Sequence, residues 1–354
     1  MRPIQPSAFS YLLPQLVQGQ SATLPTSGTT NPMQGNGGFS LQVPDGTVTG
    51  GNPRGLGAVD LQMVRTAATQ VASGAQSFAA GIVNRASGAQ SFAIGDSNTA
   101  SGITAVAIGD RNTASGNDSV AMGSLNTASG IESVAMGDTN TASSSGAVAI
   151  GVINTASGGS AVAMGSGCVA SGSNSFAVGQ SNTANATVSG VFAGSYGTTR
   201  SIQGNTVFAA SNAPIASAAG AQQTARLVMG RQTTDATPTV LTSNTSAAGT
   251  TNQVILANNS AYFFKGQVIA NVTGAGDTKG WVIEGVMKRG ANAASTTLVG
   301  AVTVTSSYAD AGASTWAVAV TADTTNGGIK VEVTGQAATT IRWVCSIDTT
   351  EVTF

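Results

Sequence analysis

A repeat of 14 residues sets the pattern of apolar and polar positions in the middle of the chain. The unit reads Ser-Gly-x-x-Ser-x-Ala-x-Gly-x-x-Asn-Thr-Ala and occurs eight times between Ser73 and Ala184. Apolar and small residues alternate within it, so a strand would place Phe92 and Ile94 on one face and Ala93 on the other. So short and regular a period predicts a solenoid, in which each repeat is one coil stacked on the next.

Fourteen residues are also two heptads, but the repeat does not fit a coiled coil. Most copies carry two glycines, each of which costs about 1 kcal/mol relative to alanine in a helix. The apolar residues are also clustered instead of falling at positions a and d. We therefore predict two short strands and two turns per coil, with the asparagines stacked as a structural amide ladder.

The sequence predicts different surroundings for the two faces of the longer strand. We expect the bulky residues to fill the coil. The apolar surface that they bury is too small to offset the conformational entropy lost when 14 residues are ordered. A solvated face would more usually carry charge than serine, alanine and glycine. The small face is therefore predicted to pack against other copies of the chain, through Ala93, Ala107, Ala121, Ala135, Ala149 and Ala163.

From Arg226 onwards, runs of Val, Ile, Thr, Phe and Trp alternate with Gly, Asn and Asp turns, which indicates an all-β domain. We expect a β-sandwich, and more specifically a jelly roll. The predicted strands are Pro238–Leu241, Gln253–Leu256, Ala261–Val272, Lys279–Lys288, Thr297–Thr305, Thr315–Thr321, Ile329–Val333 and Ile341–Ile347. The third and fourth are predicted to form a long hairpin.

Changes of composition divide the chain into five segments. They are an N-terminal segment at 1–53, a connector at 54–72, the repeats at 73–184, a transition at 185–225 and the C-terminal sandwich at 226–354.

Composition excludes several functions. Only 8% of the 354 residues are charged and the net charge is −1, so neither nucleic acid nor an acidic membrane surface is an expected partner. The chain has no histidine, the commonest metal ligand and general base, and we predict no metal and no cofactor. Two distant cysteines make no disulfide framework. No apolar run approaches the ~20 residues of a membrane helix, and we recognise no signal peptide.

The candidate binding residues lie in the C-terminal region. Aromatic side chains there could stack on sugar rings, although the alternative for the tryptophans is a place in the core, because they sit within alternating strands. We predict a receptor-binding site with Tyr308, Asp310, Trp316 and Asp277, and Tyr308 is the first residue to test. The alternative for Asp277 and Asp310 is that they are ordinary solvated residues of turns.

The repeats resemble the head repeats of trimeric autotransporter adhesins. The motifs that carry the likeness are Ala105-Val-Ala-Ile-Gly109 and Ser119-Val-Ala-Met-Gly123, with Asn-Thr-Ala-Ser-Gly between them. The resemblance covers about 110 residues. It implies a left-handed parallel β-roll of three chains around one axis, and therefore a homotrimer.

A second resemblance concerns the flanks of the repeats. The connector Arg54-Gly-Leu-Gly-Ala-Val-Asp-Leu-Gln62 and the block that begins Gly230-Arg-Gln-Thr-Thr-Asp235 look like those of phage tail-fibre proteins. This likeness implies that residues 1–53 attach to a baseplate or tail protein of the virion. It also implies a β-rich tip that touches a host-surface glycan or protein. We expect synthesis in the host cytoplasm and a final place in the virion.

Three other functions remain as alternatives. A secreted bacterial adhesin would share the roll, but we find neither a secretion signal nor a C-terminal helix followed by membrane strands. A polysaccharide-cleaving tailspike would hold two carboxylates about 5–9.5 Å apart, and acidic residues are too sparse for a pair to stand out. A threonine column could bind ice, but that leaves the C-terminal domain unexplained. We predict a protein that is not an enzyme.

Overall fold

The structure is a computed structural model that describes residues 39, 40, 42, 44–274 and 276–354. Most of the predicted N-terminal attachment segment, 1–53, therefore lies outside the described residues. The described part forms two compact units, one up to residue 145 and one from residue 146 to the end. The five segments drawn from composition stay a prediction.

The first unit consists of short strands joined by turns. Its strands are β1 Phe39–Ser40, β2 Val59–Val64, β3 Phe78–Ile82, β4 Arg85–Ala86, β5 Phe92–Asp96, β6 Thr99–Ala100, β7 Val106–Asp110, β8 Thr113–Ala114, β9 Val120–Ser124, β10 Thr127–Ala128, β11 Val134–Asp138 and β12 Thr141–Ala142.

Strands of the same kind stack in parallel, one repeat apart. Val106 of β7 pairs with Val120 of β9, and Thr113 of β8 pairs with Thr127 of β10. Each coil thus lies directly on the one before it, which confirms the predicted solenoid of 14-residue repeats. β2 also pairs in parallel with β3, so the predicted connector forms a further coil.

The second unit begins with the same alternation and then changes to longer strands. Its strands are β13 Val148–Val152, β14 Thr155–Ala156, β15 Val162–Ser166, β16 Val169–Ala170, β17 Phe176–Gln180, β18 Thr183–Ala184, β19 Gly190–Phe192, β20 Thr206–Ala209, β21 Gln222–Thr233, β22 Thr239–Val240, β23 Val254–Ile255, β24 Ser260–Val272, β25 Thr278–Arg289, β26 Thr297–Leu298, β27 Thr303–Ala309, β28 Ala317–Asp323, β29 Gly328–Thr334 and β30 Ile341–Thr353. Two 3₁₀ turns, Ala293–Ser295 and Ala311–Ala313, complete it.

Parallel stacking continues past the last regular repeat. β19 pairs in parallel with β17, and β20 pairs in parallel with β19. β20 then pairs antiparallel with β21, where the sandwich begins. Arg200 lies at this junction and its Nε is 3.1 Å from Oε2 of Glu351 on β30.

The long strands form one sheet of the sandwich. From β20 onwards its order is β20, β21, β30, β24, β25 and β27, with antiparallel pairs throughout. β24, β25 and β27 are neighbours in sequence order, and β30 returns to lie beside β24, which is the order of a Greek key. A smaller sheet has β29 between β28 on one edge and β22 and β23 on the other.

The core lies between these two sheets, which confirms the predicted β-sandwich. Trp343, Phe264 and Ile283 of the large sheet and Ile329 and Val331 of the small sheet are all buried. The structure has one Greek key in its large sheet, and its small sheet is a hairpin with two short edge strands. A jelly roll contains two Greek keys, so that version of the prediction is wrong.

Candidate functional site

The longer strand of each coil shows which of its faces is inside. Ala93, Ala107, Ala121 and Ala135 in the first unit are fully buried within the single chain. The same holds in the second unit for Ala149 and Ala163. The bulky neighbours of these alanines point outwards, and Phe92 is 43% exposed. The assignment of these alanines to the surface between chains is therefore wrong.

The width of the coil explains this orientation. A coil of 14 residues brings its two strands, such as β7 and β8, into contact with each other. Ala107 and Ala114, one from each strand, fill the space between them without any exposed surface. Valine, isoleucine or methionine would be too large there, because interiors are packed to a density that leaves few voids. The bulky side chains must therefore lie outside.

The outward side chains form continuous apolar columns. In the first unit, Val106 and Ile108 stand in register with Val120 and Met122 and are half-buried. In the second unit, the ring of Phe192 stacks on that of Phe176 at 5.3 Å and contacts that of Phe208 at 6.0 Å. Columns of large apolar groups on a surface are typical of a protein–protein interface.

The buried asparagines form the predicted ladder. The side-chain amide of Asn112 donates to Oδ1 of Asn98 at 3.0 Å and to the carbonyl oxygens of Ile108 and Gly123 at 3.0 and 2.7 Å. The backbone N–H of Asn112 also donates to Oδ1 of Asn98, at 3.0 Å. Each amide thus satisfies backbone groups of two coils, which a buried polar side chain requires. The asparagines have a structural role.

A buried ionic cluster stands at the N-terminal start of the ladder. Oδ2 of Asp60 accepts hydrogen bonds from Nε of Arg54 and from Nη2 of Arg65, both at 2.8 Å. Oδ1 of Asp60 accepts a hydrogen bond from Gln62, whose own Oε1 accepts the backbone N–H of Asn84 at 2.5 Å. Burial lowers the pKa of the Arg54 guanidinium, and the charge of Asp60 opposes that shift. The connector motif thus caps the N-terminal end of the asparagine ladder.

Three of the four predicted receptor residues come together near the start of β25. Tyr308 is 79% exposed and lies opposite Gly280. The carboxylate of Asp310 accepts a hydrogen bond from the backbone N–H of Thr278 at 2.9 Å. Asp277 is half-buried, and its carboxylate packs so closely against Gly312 that a side chain at 312 would collide with it.

Trp316 does not belong to an exposed site. It is 2% exposed, its ring lies 5.9 Å from that of Trp343, and its Nε1–H donates to Oε1 of Gln336 at 3.2 Å. Trp281 packs on the other side of Trp343 at 5.5 Å. All three tryptophans are therefore core residues. The prediction that Trp316 binds a receptor is wrong, because Trp316 directly precedes β28 and its side chain packs in the core of the sandwich.

A shallow cavity of about 350 Å³ lies beside Tyr308 on the outer face of the large sheet. The absent side chain of Gly280 leaves a gap between neighbouring strands. The other outward residues that line the cavity are Gln267, Ile269, Val282, Thr305, Ser307, Val344 and Ser346. The lining combines one aromatic ring, aliphatic groups and uncharged hydrogen-bonding groups, which is the usual make-up of a small-molecule site.

Sequence reasoning missed these neighbours of Tyr308. Ile269 is 54% exposed and Val344 is 48% exposed, although both occur in strands that the sequence predicts. The signal that could have identified them is the alternation of side chains along a strand. Ile269 follows buried Val268 and Val344 follows buried Trp343, so both lie on the opposite face.

The described residues contain no group of three or more Cys, Asp or Glu side chains placed to hold a metal ion. In the same part of the chain, no helix has the length and apolar character needed to cross a membrane.

Comparison with known proteins identifies the repeats. The YadA head domain repeat matches residues 72–98, 100–126, 128–152, 156–182 and 170–192, about a third of the chain. No curated protein matches the chain to a significant degree. The chain therefore contains YadA-type head repeats, in the form of an adhesin-like β-roll, which confirms the resemblance seen in the sequence.

Proposed function

We propose that this chain, whose repeats are of the YadA head type, is a homotrimeric tail-fibre protein of a phage virion. Its solenoid acts as the shaft, its C-terminal sandwich contacts the host surface, and residues 1–53 dock to a baseplate or tail protein. The proposal assigns no catalytic role and no cofactor to the chain.

The outward apolar columns are the observation that carries the assembly. The inside of each coil holds alanine, serine and asparagine, so the solenoid buries little large apolar surface by itself. Two further copies of the chain cover Val106, Ile108, Val120 and Met122 with their own columns, and this removes the apolar surface from water. Solenoids expose charged or polar faces when they are solvated, and these columns carry no charge.

Host contact through the cavity beside Tyr308 is the second part of the proposal. Tyr308 lines the cavity from the exposed strand β27, and Asp310 follows that strand. The hydroxyl and amide groups of the lining suit a sugar or a polar peptide. Three such sites on one fibre, and several fibres on one particle, would raise avidity without any new contact.

Binding to host cells tests this contact. We expect Tyr308→Ala to lower the binding of the purified full chain to host cells about tenfold or more, because truncation of a tyrosine that anchors an interface costs about 2 kcal/mol or more. Thr297→Ala, an exposed substitution on β26, is the matched control and leaves binding unchanged. Equal binding by the two variants would remove the cavity from the proposal.

A bacterial adhesin is the second candidate, because the matched repeat is that of an adhesin-type head. Antibodies against the chain separate the two functions. A fibre protein is found on purified phage particles, and immunogold labelling places it at the tail. An adhesin is found in the outer-membrane fraction of uninfected cells, and that result would replace the phage function while leaving the trimer intact.

A further inference from the structure

The outer face of the large sheet continues the bulky face of the coils in the second unit. Phe192 of β19 lies opposite Phe208 of β20, and Phe208 lies opposite Thr224 of β21. Directly opposed residues of neighbouring strands share a face. The face that carries the apolar columns therefore passes from the coils onto the sandwich without interruption.

Two lines of residues cross the sheet on this face. We call the first the aromatic line, which consists of Phe192, Phe208, Thr224, Thr350, Phe263 and Val286. Phe208 is 53% exposed and Phe263 is 44% exposed. Exposed phenylalanines in one line, on a face continuous with apolar columns, indicate a surface that another protein covers.

We call the second line the charged row. It consists of Arg226, Asp348, Lys265 and Glu284 on four adjacent strands. Nε of Arg226 lies 2.7 Å from Oδ1 of Asp348, and Nζ of Lys265 lies 3.4 Å from Oε2 of Glu284. The signs alternate and the row is neutral as a whole, in a chain with only 14 basic and 15 acidic residues.

We propose that a second copy of this chain covers the aromatic line of the sandwich. This inference rests on the proposed homotrimer and extends its interface from the coils to the tip. Continuity of the face with the apolar columns points to the same partner on both.

The cavity beside Tyr308 stays outside this interface. Gln267, which lines the cavity, is four residues along β24 from Phe263 of the aromatic line, or about 14 Å at ~3.4 Å per residue, and the charged row lies between them. The cavity thus lies beside the line of contact, and both the receptor site and the interface fit on the one sheet.

Cysteine cross-linking in the full chain tests the inference. Phe263→Cys probes the aromatic line, and Thr350→Cys probes the same line without loss of a phenylalanine. Ile150→Cys probes the apolar column of the coils, and Ala319→Cys on the exposed face of the small sheet is the control. The native thiols give little background, because burial raises the pKa of Cys345 to about 12 and also raises that of Cys168.

A short bismaleimide followed by a denaturing gel gives the readout. We expect linked chains for the probes at positions 263, 350 and 150, at least tenfold above the Ala319→Cys control. Linkage at position 150 with only control levels at 263 and 350 overturns the inference and leaves the trimer standing. Control levels at all four positions, together with a single-chain mass in solution, overturn the trimer itself.

Discussion

At the scale of single residues, stacked coils leave no room for a side chain where the backbones approach each other. Gly165 has φ +115°, and a Cβ there would lie 2.0 Å from the carbonyl oxygen of Gly179 in the next coil. Gly159 in the same region has open space around it. The strict glycine of the repeat is thus a requirement of both backbone conformation and stacking.

This difference gives a matched pair of variants. We expect Gly165→Ala to lower the free energy of unfolding by about 2–4 kcal/mol, from backbone strain and from the displaced carbonyl. Gly159→Ala is expected to change it by less than about 1 kcal/mol. Denaturant unfolding followed by circular dichroism measures both, and equal effects would contradict the close stacking.

Cys168 is the one position within the repeats where the asparagine ladder is broken. Its backbone N–H donates to Oδ1 of Asn154 at 2.9 Å, and its thiol lies 3.3 Å from the carbonyl oxygen of Gly179. A thiol is a weak donor and offers Asn182 no amide oxygen. Cys168 is therefore a position where a substitution can stabilise the ladder.

We expect Cys168→Asn to raise the free energy of unfolding by about 1 kcal/mol, the net value of a typical added hydrogen bond. Cys168→Ala, which removes the thiol without supplying an amide, is the control and should give no gain. Denaturation midpoints of the two variants decide the matter, and a Cys168→Asn protein less stable than the original would show that the ladder does not accept an amide there.

Residue patterns predicted the strands of the coil but not which face is inside. Alternation separates Ala107 from Val106 and Ile108 equally well for either orientation. The choice depends on the width of the coil, which follows from how its turns fold and has no signal at the level of single residues. The same alternation did mark Ile269 and Val344 as outward, once Trp343 was placed in the core.

At the scale of elements, the connector shows how the asparagine ladder begins. Asp60 is fully buried and neutralises part of the charge of Arg54 and Arg65, while Gln62 supplies the first acceptor of the ladder. The sequence marked this segment by its composition and by its resemblance to fibre proteins. Its role as a cap depends on contacts with residues more than 20 positions away, such as Asn84.

Removal of the carboxylate charge tests the cap. We expect Asp60→Asn to lower the free energy of unfolding by about 3–5 kcal/mol, because two buried guanidinium groups lose their counter-charge. Asp110→Asn, whose exposed carboxylate pairs with the neighbouring Arg111, is the control and should give no measurable change. If the two variants unfolded alike, the cluster would not be a stabilising cap.

The strands of the sandwich were predicted better than their connections. The hairpin of β24 and β25 follows directly from alternation and a turn rich in glycine. β21 was missed: it crosses the predicted boundary between the transition and the sandwich at 225/226, and its outward residues Thr224 and Arg226 are polar. The single Greek key could not be predicted, because the placement of β30 between β21 and β24 depends on long-range packing.

At the scale of the whole molecule, the proposed homotrimer rests on the outward apolar columns. We expect Ile108→Glu with Met122→Glu to dissociate the assembly, since each carboxylate would be buried without a partner against a neighbouring copy. Thr113→Glu with Thr127→Glu, on the short strands of the same coils, is the matched control and leaves the assembly intact. Sedimentation velocity compares the two, and equal dissociation would place the interface elsewhere.

The mass of the purified full chain in solution tests the central claim most directly. One chain has a mass of 34.7 kDa. Light scattering coupled to size exclusion is expected to give three times that value, constant across the peak and unchanged on moderate dilution. A stable species with the mass of one chain, and a β-rich circular dichroism spectrum that shows it to be folded, would contradict the account.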